Sequence, residues 1–164
     1  MTHPAIDPKD PRYLPLKFKP GIFRARKATE RIVIHALDTA PGWKFDIRQV
    51  NGWHVEERGW VAIGYHYVLA RNGVIVPGRP VDVIGAHQPG WNSNSIAIAL
   101  AGGLGAKPGA TFGDLYTPDQ DEMLRWFLNS ALALWPGIEV VGHRDHPKCK
   151  KLCPGFDVRT WWGE

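Results

Sequence analysis

Two histidines and a cysteine at positions 35, 143 and 153 constrain this chain more than any other feature, because bringing them to one point ties a segment near its start to one near its end. His35 closes the apolar run Ile32-Val33-Ile34, while His143 and Cys153 bracket the compact loop that runs on through Pro154 and Gly155. Two imidazoles and a thiolate suit tetrahedral zinc, and three protein ligands leave its fourth position open to water. An open site of that kind implies hydrolytic chemistry. Cys149 and His146 lie in the same loop and could also coordinate. The rigid Pro154-Gly155 turn favours Cys153; Cys149, among lysines, reads as an exposed or half-buried thiol and His146 as a solvated loop side chain.

With 164 residues, 44% of them hydrophobic, the chain can bury a core as a single domain. A net charge of +4 is too mild to argue for stable nucleic-acid binding, and a weakly anionic polymer is an equally good partner. Neither a signal-like segment nor an apolar run of about 18 residues is apparent, so no membrane span is predicted and the chain is expected to be made in the cytoplasm. Its two cysteines, four positions apart, make a poor disulfide framework and are read as reduced.

Residues 1–27 carry Pro4, Pro8, Pro11, Pro15 and Pro20 and should run extended as an arm ahead of a domain spanning 28–164. Ile32 to Ile34 predict a buried strand, and Asp46 an N-cap for a helix using Ile47, Val50 and Trp53 and ending at Gly59. The segment from Gly64 to Ala70, then Asn72-Gly73, then Val74 to Val76 predicts a hairpin closed by a tight turn. Ser95 to Ala101 reads as a central strand, followed by loop from Gly102 to Gly113. Thr117-Pro118-Asp119-Gln120 is a capping box opening a helix through Leu132; Ile138 to Val141 should form a strand delivering His143, and Asp157 should cap a terminal helix. The expected class is α/β, with a central mixed sheet flanked by helices. His66, opposite in side-chain direction to Tyr65, should pack beneath the sheet. Among the tryptophans, Trp53, Trp126, Trp161 and Trp162 read as mostly core, and Trp43, Trp60 and Trp91 as flanking the cleft, Trp91 being the preferred groove residue.

Further pieces complete a pattern: Gly64-Tyr65-His66-Tyr67, Gly78-Arg79, Gly85-Ala86-His87, Asn94-Ser95-Ile96, Gly102-Gly103, Thr117-Pro118, Gly142-His143-Arg144-Asp145 and Lys151-Leu152-Cys153-Pro154-Gly155-Phe156-Asp157. Their order over roughly residues 30 to 162 resembles the zinc-dependent N-acetylmuramoyl-L-alanine amidases, a family of phage amidase-type lysozymes related to the peptidoglycan recognition proteins. The resemblance implies His35, His143 and Cys153 as zinc ligands, Tyr65 and Lys151 as the catalytic pair, and His87 at the substrate groove. One departure stands out: many relatives place a glutamate on the central strand, where Ile96-Ala97-Ile98-Ala99-Leu100 offers no carboxylate. Zinc with Tyr65 must then activate water, as in the phage branch.

What the resemblance implies is cleavage of the amide between the lactyl group of N-acetylmuramic acid and L-alanine by a monomeric phage or prophage endolysin. Such an enzyme is made in the host cytoplasm and reaches periplasmic peptidoglycan after holin-dependent permeabilisation of the inner membrane. Alternatives are a cytosolic muropeptide-recycling amidase, a non-catalytic peptidoglycan-binding module, and a regulator acting on RNA polymerase through the arm.

Overall fold

The computed structural model describes residue 7 and residues 9–163. Its centre is a five-stranded sheet in the order β3-β2-β4-β1-β5, built from β1 (Arg31–Ala36), β2 (Tyr67–Leu69), β3 (Ile75–Pro77), β4 (Ser95–Leu100) and β5 (Glu139–Gly142). β1 runs parallel to β4 and β5, β2 parallel to β4, and only the β2–β3 hairpin is antiparallel. The helices are α1 (Ile47–Gly52), continued as a wider turn over Trp53–Glu57, then α2 (Phe112–Leu115), α3 (Pro118–Leu134) and α4 (Val158–Trp162). None of the described helices is long and apolar enough to cross a membrane.

Burial on both faces explains the near-continuous apolar strands. All six residues of β4 are buried, and Ile32, Ile34, Ile96, Ile98 and Leu100 pack with Leu124 and Leu128 of α3 and with Phe112 and Phe156. A second cluster holds Phe45, Ile47, Val50, Ile63 and Val68. Consecutive strand side chains alternate between faces, so His35 projects away from the Ile34 side and meets Tyr65, ring centroids 5.1 Å apart.

The capping box opens α3 as the sequence predicts: the Thr117 hydroxyl accepts from the Gln120 amide at 3.2 Å, and Gln120 Oε1 accepts from the Thr117 amide at 3.1 Å. Buried Gln120 also donates to the carbonyls of Leu69 and Ala101, tying the helix start to the ends of β2 and β4. Asp46 caps α1 and Asp157 caps α4 through backbone amides.

Four local readings need correction. The hairpin turn is not a two-residue Asn-Gly turn: Gly73 alone takes positive φ, at 80°, while Ala70 N–H donates to Val74 O and Gly73 N–H to Ala70 O. This is a three-residue loop with its left-handed residue last, a position glycine fills without strain. Tyr65 and His66 precede β2 rather than lie within it. The predicted 102–113 loop contains the start of α2, whose capping box from Thr111 to Asp114 was legible. Trp126 is 61% exposed, because it stands two positions from the inward-facing Leu124 on a helix.

Of the proline-rich arm, residues 1–6 and 8, including Pro4 and Pro8, lie outside the described residues. From there on it is anchored: Tyr13 stacks on Phe45 at 5.4 Å, Leu16 and Phe18 pack against the second cluster, and Ala25 bridges Val83.

His66 is buried as predicted. Its Nδ1 accepts from Ala97 N–H and its Nε2 lies 2.9 Å from Val83 O, so the neutral ring satisfies both contacts. Burial pushes its pKa down to about 4. The folded chain therefore binds fewer protons here than the unfolded chain between about pH 6.5 and 4, and this stability is complete above that window and lost as pH falls through it. The expected loss is about 1.4 kcal/mol per pH unit from this residue, and His66→Gln should lower the pH slope of the unfolding free energy by that amount. An NMR titration of the His66 ring checks the premise directly; a midpoint near the ordinary histidine value contradicts it.

Candidate metal centre and cleft

β1 and β5 are parallel neighbours with Ile34 opposite Gly142, so the residues that follow, His35 and His143, emerge side by side at the carboxyl ends of the strands. Their ring centroids are 4.6 Å apart. His143 begins a short 3₁₀ turn, His143–Asp145, held by Asp145 accepting from the Gly142 amide at 2.8 Å. The loop beyond then doubles back: Arg144 N–H donates to Cys153 O at 2.7 Å, and Ala36 N–H donates to Cys153 Sγ at 3.2 Å. The hydroxyl of Tyr116 holds the next carbonyl, that of Pro154, at 2.7 Å.

One donor atom from each of His35, His143 and Cys153 lies within 4.8 Å of the others, and Cys153 Sγ is 3.9 Å from His35 Nδ1. Burial, reinforced by neighbouring imidazoles, holds His35 neutral well below the ordinary histidine range, and burial also lowers His143, with Lys151 adding to the effect. The Cys153 thiol is pushed up to about 12, chiefly by burial. Two neutral imidazoles beside a protonated thiol are ready ligands for a cation that displaces the thiol proton, and the donor set matches zinc in number and type.

A cleft of about 760 Å³ opens over this cluster, walled by His54, Arg58, Trp60, Tyr65, His87 and Lys151 among others. Burial raises the Tyr65 phenol above its ordinary range, with Cys153 adding to the rise, so Tyr65 remains a hydrogen-bond donor at neutral pH. Lys151 is exposed at the rim. His54 is buried, accepts from Gly64 N–H at 3.0 Å and stacks on Trp60 at 4.7 Å; burial, with Arg58 and Arg79 next, brings it down to about 4.

The structure thus brings together His35, His143, Cys153, Tyr65 and Lys151. His87 also borders the cleft, but both of its ring nitrogens are committed, Nδ1 to His35 and Nε2 to Ser95 Oγ. Trp91 does not line the cleft; it packs edge-on against His146 at 4.6 Å and beneath the Arg31 guanidinium at 5.0 Å, and Trp60 takes the wall position instead. His146 is buried rather than solvated, accepting at Nδ1 from Gln88 and from Lys148 N–H. Cys149 is a half-buried free thiol. Sequence reading missed His54 and Arg58, although the helix predicted to end at Gly59 spans both, and Gln88, which lies on a loop without periodicity. Asp38, the one carboxylate among the described residues lining the cleft, sits at a φ of 58°.

The family model described as N-acetylmuramoyl-L-alanine amidase matches residues 25–156. The endolysin of Escherichia phage T7 is 36% identical over 140 residues, covering 85% of this chain and 89% of that protein. Among solved structures, the N-acetylmuramoyl-L-alanine amidase LysC from Clostridium intestinale URNW aligns with a TM-score of 0.70 at 22% identity, covering 90% of this chain and 91% of that one. Drosophila PGRP-LB aligns with a TM-score of 0.65 at 24% identity, covering 83% and 79%. The last two likenesses bear on the fold alone.

The desolvated Cys153 thiol is expected to resist alkylation in metal-free protein. At pH 8 it should react with iodoacetamide at least about a hundredfold more slowly than Cys149, because the reactive species is the thiolate. Mass mapping of the modified peptide over time checks this, and comparable rates at the two positions contradict it.

Proposed function

The chain belongs to the N-acetylmuramoyl-L-alanine amidase family, and on that premise we propose that it is a zinc-dependent endolysin hydrolysing the amide between the lactyl group of N-acetylmuramic acid and L-alanine in peptidoglycan. The observation that carries this reading is the His35–His143–Cys153 cluster at the floor of a cleft that Tyr65 and Lys151 also border.

These three residues would hold the zinc. When bound, zinc supplies a Lewis acid that polarises the scissile carbonyl and makes water acidic enough to attack near neutral pH. Lys151 contributes a mobile cation at the rim, placed to stabilise negative charge as the carbonyl oxygen becomes tetrahedral. Burial keeps the Tyr65 phenol protonated at rest; it hydrogen-bonds the developing charge and acts as a relay, handing its proton toward the departing amine as it takes up the one the attacking water releases. Trp60 stacked on His54 gives the cleft a flat, rigid wall. His87 contributes its ring to the cleft border while its nitrogens face protein.

The 36% identity to a phage endolysin over most of both chains favours lysis over muropeptide recycling. In that role the protein is synthesised in the host cytoplasm and meets the wall once the inner membrane is permeabilised. Its charge of +4 favours approach to a wall rich in stem-peptide carboxylates.

Mass spectrometry of the products from intact sacculi tests the reaction: released stem peptides should begin with a free L-alanine amine and leave intact glycan, and a chelator should stop release. Cys153→Ser should lose bound zinc and activity while Cys149→Ser keeps both. Lys151→Met should lower kcat by about 10²- to 10³-fold. Glycan-chain cleavage, or full activity after metal removal, contradicts the proposal. Turnover on sacculi should also fall as ionic strength rises, since charge steering between exposed groups is screened beyond about 10 Å at 0.1 M salt; a flat profile contradicts the steering argument.

A further inference from the structure

Adjacent residues of one loop, His87 and Gln88, each accept a hydrogen bond from a different histidine of the metal cluster. Gln88 Nε2 lies 3.0 Å from Pro89 O, a group that can only accept, and this fixes the orientation of the side-chain amide. Its Oε1 therefore faces His143 Nε2, at 2.5 Å, and that nitrogen must carry the proton. The only lone pair left on the His143 ring is at Nδ1. The other chain reads the same way. Ser95 Oγ–H donates to Trp91 O at 2.6 Å, so the 3.1 Å contact between Ser95 Oγ and His87 Nε2 requires a proton on the imidazole. His87 Nδ1 is then an acceptor, and His35 Nε2, at 3.0 Å, must donate to it. This leaves His35 Nδ1 bare on the side facing Cys153 Sγ.

A single side chain holds both acceptors in place. Asn92 Oδ1 accepts from the backbone amides of His87 at 2.8 Å and of Gln88 at 2.7 Å, closing the loop on itself. Gln88 is buried and also donates to His146 Nδ1, so its rotamer is fixed from three directions.

We propose that loop 86–92 is a built orienting element for the metal ligands, with Gln88 the positioning residue for His143, His87 the positioning residue for His35, and Asn92 the clamp that sets both. This deepens the zinc reading and rests on it. Partners at the distal nitrogen of a ligating histidine fix its tautomer and ring direction, and their loss commonly weakens metal affinity by about 10- to 100-fold. A Gln88 acting only as packing would leave affinity indifferent to whether its replacement can accept a hydrogen bond.

The test measures the zinc dissociation constant of the full chain by competition with a chromophoric chelator. Gln88→Ala and Asn92→Ala should each weaken binding about 10- to 100-fold, and Gln88→Glu, which keeps the acceptor for His143 while losing the donors to Pro89 O and His146 Nδ1, should bind zinc more tightly than Gln88→Ala. A second measurement needs no variant: long-range ¹H–¹⁵N correlation on zinc-free wild-type protein should show His143 and His35 as Nε2–H tautomers. Finding the Nδ1–H tautomer at His143 overturns the proposal, as does zinc affinity in folded Gln88→Ala within about twofold of wild type. Wild-type protein that takes up no zinc at all overturns the metal reading as well, which separates the two failures.

Discussion

The parallel pairing of β1 with β5 is the constraint from which the site follows. Parallel strands end on the same side of a sheet, and with Ile34 opposite Gly142 the next residue of each strand is a histidine. No loop has to search for this arrangement; two backbone ladders enforce it. Cys153 is then recruited by backbone contacts, Arg144 N–H to its carbonyl and Ala36 N–H to its sulfur, so its position follows from the same two strands. A one-residue slip in either ladder would turn His35 or His143 to the opposite face of the sheet, which explains why the strands around the site are buried on both faces and firmly registered.

That placement is electrostatically costly for the protein alone. Burial suppresses charge on both imidazoles and on the thiol, so the cluster is a set of neutral donors packed close together with unshared lone pairs. Such a group gains nothing from folding by itself. It makes physical sense as a receptor for a cation, whose charge reverses the penalty on the thiolate while leaving the imidazoles in the state burial already imposes. Desolvation suppresses charge at Tyr65 as well, preserving a phenolic donor on the wall of the cleft.

How much of this was legible in the sequence depends on the type of signal. His35, His143 and Cys153 could be singled out because three metal-compatible side chains in rigid contexts reinforce one another, and the Thr117 capping box and the Asp157 cap could be read because their hydrogen bonds are local. His66 was correctly read as buried, although it precedes β2 rather than alternating within it. Trp91 and His146 were misread because each is explained by the other: their edge-on contact joins residues 55 positions apart, and nothing local announces it. Gln88 was invisible for the same reason, since its partners His143 and His146 are distant in sequence and its own neighbourhood reads as ordinary loop. The hairpin lay between these cases; its location was clear, but the three-residue loop is set by the Ala70–Val74 hydrogen bond and the left-handed Gly73, which the Asn-Gly pair alone does not specify.

The wall that carries Tyr65 and the loop that orients the histidines form one packed unit. Gly64 pairs with Ala86 through Ala86 N–H to Gly64 O, and a Cβ at Gly64 would lie 2.1 Å from Ala86 O, so only glycine permits the two backbones to approach this closely. Arg79 clamps the same pair of segments: its guanidinium donates to the carbonyls of Ile63 and Ala62 on one side and of Ile84 on the other. Burying that cation without a carboxylate partner among the described residues is tolerable because three carbonyl oxygens replace its water. Contacts thus run from the Tyr65 segment through loop 86–92 to the rings of His35 and His143. The Tyr65 hydroxyl and the histidine cluster share a common scaffold, so Tyr65, which lies outside any strand, is nonetheless tied to the sheet through its neighbours.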